Sequence, residues 1–228
     1  MHFRIAVVIC AVWLSPIANA TVITGSFNGD ITGASGSENG LDLTGLVGLA
    51  FSGTFSFDSA SLVLTASSSA NRALYDVSSG FPPIVITQAV GGYTFSITSA
   101  APASRLEIDS ALAPSAPDNL FELASQNVPG IPLPGDSSGQ ILFGLYSTGA
   151  PGFASNGLDP GTTNFHWTSA EGFGSGGTVF SDAGGHSTGR LDFSVTSAFA
   201  SAVPEPYTIT LLTLGLSGIG FSRRARKS

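Results

Sequence analysis

Between its two ends this chain never sustains an apolar period of 3.6 residues over three turns, whereas apolar and polar residues repeatedly alternate at period two. Period two puts successive side chains on opposite faces of an extended backbone, so that one face is buried and the other solvated. From Leu46 to Asp58, Phe51, Phe55 and Phe57 share one face with Gly53 in register, while Ser52, Thr54 and Ser56 point the other way. Ile84 to Val90 and Tyr93 to Thr98 flank Gly91-Gly92, the pattern of a tight hairpin. Leu106 and Ile108 alternate with charges from Arg105 to Asp109, and Leu191, Phe193 and Val195 alternate with polar residues near the end of the region. Gln140 to Thr148 is apolar on both faces and reads as a central, doubly covered strand. Asn119 to Gln126 fits a strand or a short helix. Asn28-Gly29, after a strand from Val22, and Asn39-Gly40 read as tight turns. Phe165 to Trp167 and Thr178 to Ser181 are expected to bracket a glycine-rich loop, and the five prolines between Ala111 and Pro134 make that interval mostly loop. The expectation is an all-β fold: one antiparallel β-sandwich, jelly-roll-like, of roughly eight to eleven short strands.

Charge narrows the partners. From Thr21 to Val203 there are fourteen acidic residues and three basic ones, Arg72, Arg105 and Arg190, a net charge of −11. Such a surface repels phosphate backbones and anionic lipids, which excludes nucleic acid as a partner. At 183 residues the region is long enough for one domain with a real core.

The two ends are different in kind. Met1 to Arg4 is a positive n-region, Ile5 to Leu14 an unbroken apolar run, and Ser15-Pro16 a break before Ala18-Asn19-Ala20. This is the layout of a secretory signal peptide cleaved after Ala20, with Ala18 and Ala20 filling the peptidase pocket. Cys10 lies inside the apolar run, so export leaves no thiol for a disulfide or a metal. At the other end, Pro204 and Pro206 push Val203 and Glu205 out of the helical region, and a helix can begin only after Pro206. Tyr207 to Ser222 carries no charge. As a helix it would be about 24 Å long, short for a membrane core of about 30 Å. Arg223, Arg224, Arg226 and Lys227 follow and are expected to stay in the cytoplasm.

The segment Val203-Pro204-Glu205-Pro206, the Leu/Gly-rich span and the basic end at Arg223, Arg224 and Arg226 resembles the PEP-CTERM sorting signal of exopolysaccharide-producing Gram-negative bacteria. The resemblance covers the last 26 residues. Thr208, Thr210 and Thr213 make the span more polar than is usual for it. It implies an exosortase that processes the signal at or near the handle. The organisation expected is a signal peptide over 1–20, an exported β-sandwich over 21–202 and a sorting and anchoring segment over 203–228 that includes a transmembrane helix. A plain C-terminal anchor behind a proline turn is the competing reading. The partners implied are the Sec translocon, signal peptidase, the exosortase, the inner membrane in transit and, outside the cell, exopolysaccharide.

Catalytic parts are few. Only His166 and His186 survive export, no Gly-x-Ser-x-Gly elbow is present, and Glu107 with Asp109 reads as two exposed acids on an edge strand. Asp136, Asp159 and Asp182 lie in Gly-rich loops but lack EF-hand or nonapeptide spacing, so they read as solvated acids in place of calcium ligands. No enzyme activity, cofactor or metal is therefore expected. Two classes of function stay open: a non-enzymatic envelope or matrix protein, and a lectin-like module in which an aromatic such as Trp167 stacks on sugar.

Overall fold

Two 17-residue strands, the first and the last of the exported region, lie side by side and antiparallel, and the rest of the sheet grows outward from them. The computed structural model describes residues 22–66, 68, 72–77, 84–98, 104–110, 119–126, 139–147 and 164–203. In chain order the strands are β1 (Val22–Glu38), β2 (Leu41–Asp42), β3 (Ala50–Asp58), β4 (Leu62–Leu64), β5 (Arg72–Val77), β6 (Val85–Val90), β7 (Tyr93–Thr98), β8 (Arg105–Ser110), β9 (Asn119–Gln126), β10 (Gly139–Ser147), β11 (Phe165–Thr168), β12 (Gly172–Ser181) and β13 (Ser187–Val203). They hydrogen-bond in the order β4-β5-β8-β9-β10-β12-β13-β1-β3-β6-β7, with β11 also on β13 and β2 on β1. Every pairing is antiparallel. The all-β expectation is met, and Asn119–Gln126 is a strand.

The expected sandwich takes the form of one continuous sheet curled on itself. Its β3-β6-β7 side folds over its β9-β10-β12 side and encloses a single core. Phe27 of β1 stacks on Phe143 of β10 at 4.3 Å between ring centroids, Phe55 of β3 lies 5.5 Å from Phe143, and Phe95 of β7 meets Phe180 of β12 edge-on at 4.9 Å. Such offset and edge contacts add to the burial of the rings themselves. Two buried hydroxyls close the curl. The Ser125 hydroxyl of β9 shares its proton between the carbonyls of Ile84 and Ile97, at 2.9 and 2.8 Å, and Thr178 of β12 donates to Gln88 of β6 at 2.8 Å. Ser125→Ala removes both contacts of a fully buried hydroxyl and is expected to cost about 1–3 kcal/mol. A thermal midpoint several degrees lower with an unchanged far-UV spectrum is the expected reading; an unchanged midpoint would show that the clamp contributes nothing.

Glycine makes room for the aromatic core. In register, Phe27 lies opposite Gly53, Phe55 opposite Gly25, Phe51 opposite Gly29 and Phe193 opposite Gly176. A Cβ at Gly53, Gly25 or Gly176 would run into its partner's ring. The ring covers the bare backbone of the neighbouring strand, and the missing side chain gives the ring its seat.

Several local expectations change. Asn28-Gly29 is no turn: β1 runs straight through it, with a shift in its register to β13 there. Both neighbours, β3 and β13, hold this stretch extended, and a bulge absorbs the irregularity. The glycine-rich stretch before Thr178 is no loop but part of β12, paired on both sides by β10 and β13. Strand β8 is internal, between β5 and β9. The strand predicted from Leu46 begins at Ala50, because Asp42 caps a 3-10 turn over Leu43–Leu46 through the Thr44 amide at 2.9 Å. By contrast Gly91-Gly92 forms the expected hairpin, and Asn39-Gly40 forms its turn with φ of 48° and 82°.

Among the described residues no helix is long and apolar enough to cross a membrane. The signal peptide over 1–20, with Ala18 and Ala20, and the sorting segment from Pro204 onward, with its expected transmembrane helix, lie outside the described residues.

Candidate functional site

On the inner face of β10, Ile141, Phe143 and Leu145 enter the core, so Gln140, Leu142, Gly144 and Tyr146 must face outward. Register extends this outer face sideways. One row reads Glu107, Glu122, Gly144, Ser175 and Ser194 across β8, β9, β10, β12 and β13; the next holds Leu120, Tyr146 and Phe173. A groove of about 480 Å³ runs over this surface. Glu122, Tyr146, Gln140, Arg190 and Asp192 line it, with Gly144 and Gly177 in its floor.

Tyr146 and Phe173 stack at 4.3 Å and 11°, and Phe173 stays 52% exposed. Glu107 and Glu122 oppose each other across β8 and β9, an arrangement of like charges that each relieves with its own arginine. Arg72 donates to Glu107 at 2.5 Å, and Arg105 to Glu122 at 3.0 Å. The third arginine of the region, Arg190, donates to Asp192 two residues along β13 at 2.7 Å. All three arginines of the exported region therefore sit on this one face. The Tyr146 phenol is raised from its ordinary pKa, first by burial and then by the charges of Glu122 and Glu107.

Glu107 differs from its expectation, since it is only 7% exposed, on an interior strand and ion-paired. Trp167 is 1% exposed, its ring turned into the core from β11, so it cannot stack on a sugar. His166, its neighbour, faces solvent. Asp182 is no open calcium ligand. Its carboxylate accepts from the Gly184 and His186 amides at 2.8 and 2.9 Å and meets the His186 ring at 3.3 Å, bracing the β12–β13 turn. These bonds, the His186 amide foremost, hold the Asp182 carboxyl below its ordinary pKa. Asp136 and Asp159 lie outside the described residues. The same is true of Pro204, Glu205, Pro206, Arg223, Arg224 and Arg226.

Val203 ends β13 directly opposite Val22, the first residue of β1. The strand-built body thus receives and releases the chain at one end of its two longest strands.

An all-β body whose last strand runs out into a Pro-Glu-Pro handle, an uncharged span and an arginine cluster is the layout of an exported protein that carries a C-terminal sorting signal. The family profile of the PEP-CTERM protein-sorting motif matches residues 202–227, and the chain carries that motif at its C-terminal end. The motif marks an exported protein sorted by an exosortase and anchored at a membrane while it is sorted. The match leaves almost all of the strand-built body outside it. No curated protein is similar enough to this chain to be matched with it.

Proposed function

We propose that this chain is a cell-envelope or extracellular-matrix protein of a Gram-negative bacterium, non-enzymatic and associated with exopolysaccharide. The observation that carries the reading is the sorting motif at residues 202–227. In this scheme the Sec translocon exports the chain and signal peptidase cuts after Ala20. Tyr207 to Ser222 halts in the inner membrane with Arg223, Arg224 and Arg226 in the cytoplasm, and the body folds in the periplasm. The exosortase then reads Pro204-Glu205-Pro206, an extended backbone of the kind proteases bind, with one fixed charge between two rigid residues. After processing, the protein reaches the cell surface or the matrix. A structural role is supported by the sparse chemistry of the body: its two histidines face solvent, and among the described residues the buried carboxylate, Glu107, is ion-paired.

Glu205→Ala, with both prolines kept, is expected to leave export and membrane insertion unchanged and to make the unprocessed form accumulate in the inner membrane. Immunoblots of membrane and released fractions, with and without an exosortase in the host, read this directly. Normal maturation of the variant, or equally fast loss of the tail without an exosortase, would replace the sorting reading by a plain anchor.

A lectin-like carbohydrate-binding module is the second reading. Burial of Trp167 removes its original stacking residue, but the exposed Phe173, stacked on the half-buried Tyr146 beside a polar groove, supports it independently.

A further inference from the structure

We infer that the groove over β9, β10, β12 and β13 binds a neutral polysaccharide chain, with Tyr146 in its lining and Phe173, stacked beside it, as the aromatic platform and Glu122, Gln140, Arg190 and Asp192 as hydrogen-bonding partners of its hydroxyls. The assignment rests on the carbohydrate-binding reading and gives it a site. A pyranose ring has an apolar C–H face and a polar rim. It therefore needs an aromatic surface with donors and acceptors around it, the usual build of a small-molecule site. Phe173 is half exposed against a ring it already stacks on, so its outer face is open to a ligand. Arg190 and Asp192 together offer donors and an acceptor from one fixed pair, and Gln140 lies with them along the same groove.

Charge chooses among polymers. Each of the three arginines on this face already neutralises a carboxylate, in a region whose net charge is −11. No excess positive charge greets a polyanion, and the field of the whole body repels it. Paired charges still hydrogen-bond to neutral hydroxyls. Glycine keeps part of the groove floor bare: a Cβ at Gly177 would find its nearest neighbours at 3.4 and 3.6 Å, ordinary contact, with nothing else within 4 Å. A larger residue there would fill the groove without displacing the backbone.

The test is affinity electrophoresis of the full chain, solubilised in a detergent without a sugar headgroup, through gels containing hydroxyethyl cellulose, pullulan, a β-galactan or polygalacturonate. At least one neutral polymer is expected to retard the protein. Phe173→Ala should weaken that retardation about tenfold, and Gly177→Val should abolish it. Ser26→Ala, on the outer face of β1 and outside the groove lining, should leave it intact, with thermal midpoints of all variants measured alongside. Retardation that survives both groove variants would overturn the groove assignment and leave the carbohydrate-binding reading standing. Absence of retardation by every neutral polymer would overturn both. Retardation by polygalacturonate alone would overturn the choice of a neutral ligand.

Discussion

Phe143→Ala is expected to destabilise the exported body by about 3–5 kcal/mol, the range for truncating a fully buried phenylalanine. Phe143 is completely inaccessible, and it is where the curled sheet closes. Its ring stacks on Phe27 at 4.3 Å and lies 5.5 Å from Phe55 and 6.2 Å from Phe121, so rings from both sides of the curl meet on it. Its backbone is held by β9 on one side and β12 on the other, so the strands cannot easily collapse into the space vacated. Folded domains are stable by only about 5–15 kcal/mol, so this is a large share of the total. For a body of this size it should lower the thermal midpoint by about 10 °C. Phe173→Ala removes a ring of equal size from the outer face and is expected to cost under about 1 kcal/mol. Urea unfolding of the two variants against the parent gives the comparison. Similar costs, or a cost near zero for Phe143→Ala, would mean that the two sides of the sheet are not held together through this ring.

The faces of individual strands were legible in the sequence because they depend on neighbours two residues away. Phe51, Phe55 and Phe57 are buried and Ser52 and Thr54 exposed, as their alternation implies. Trp167 follows the same rule, buried on a strand whose alternate residue His166 is exposed. Where a local signal competed with a long-range one, the long-range one won. Asn-Gly at 28 and 29 favours a turn, but ladders to β3 and β13 hold it straight. Glycines 172–177 look like a loop until their partners across β10 and β13 are known. The groove was hidden for the same reason. Glu122, Tyr146, Ser175 and Arg190 are separated along the chain and meet only through the register of four strands. One signal pointed to it: Gln140 to Thr148 is apolar on both faces, yet only its inner face is fully covered. Leu142 and Tyr146 remain half-buried on the outer one, where they line the groove. The sorting handle, by contrast, is contiguous, and its proline geometry, uncharged span and basic end can be read without any fold.

The pairing of glycine with phenylalanine across strands predicts a second large effect, from adding atoms instead of removing them. Gly53→Val is expected to cost about 3 kcal/mol, the upper end of ordinary overpacking. The new Cβ would run into the Phe27 ring, which is fully buried and already stacked on Phe143. The ring has no solvent to escape to, and Gly53 sits in a strand paired on both sides by β1 and β6, so the backbone cannot yield instead. Valine suits an extended backbone, so strand propensity does not explain the loss. Gly45→Ala, where an added Cβ meets nothing within 4 Å, serves as the control and is expected to stay within about 0.5 kcal/mol of the parent. The decisive measurement is a double-mutant cycle. Phe27→Ala alone opens a cavity over Gly53, and valine at 53 should partly fill it. The Phe27→Ala, Gly53→Val pair is then expected to cost about 1–3 kcal/mol less than its two single changes added together. Strict additivity would mean that the ring and the glycine do not compete for the same space, and the account of how this glycine-rich chain builds an aromatic core would fail with it.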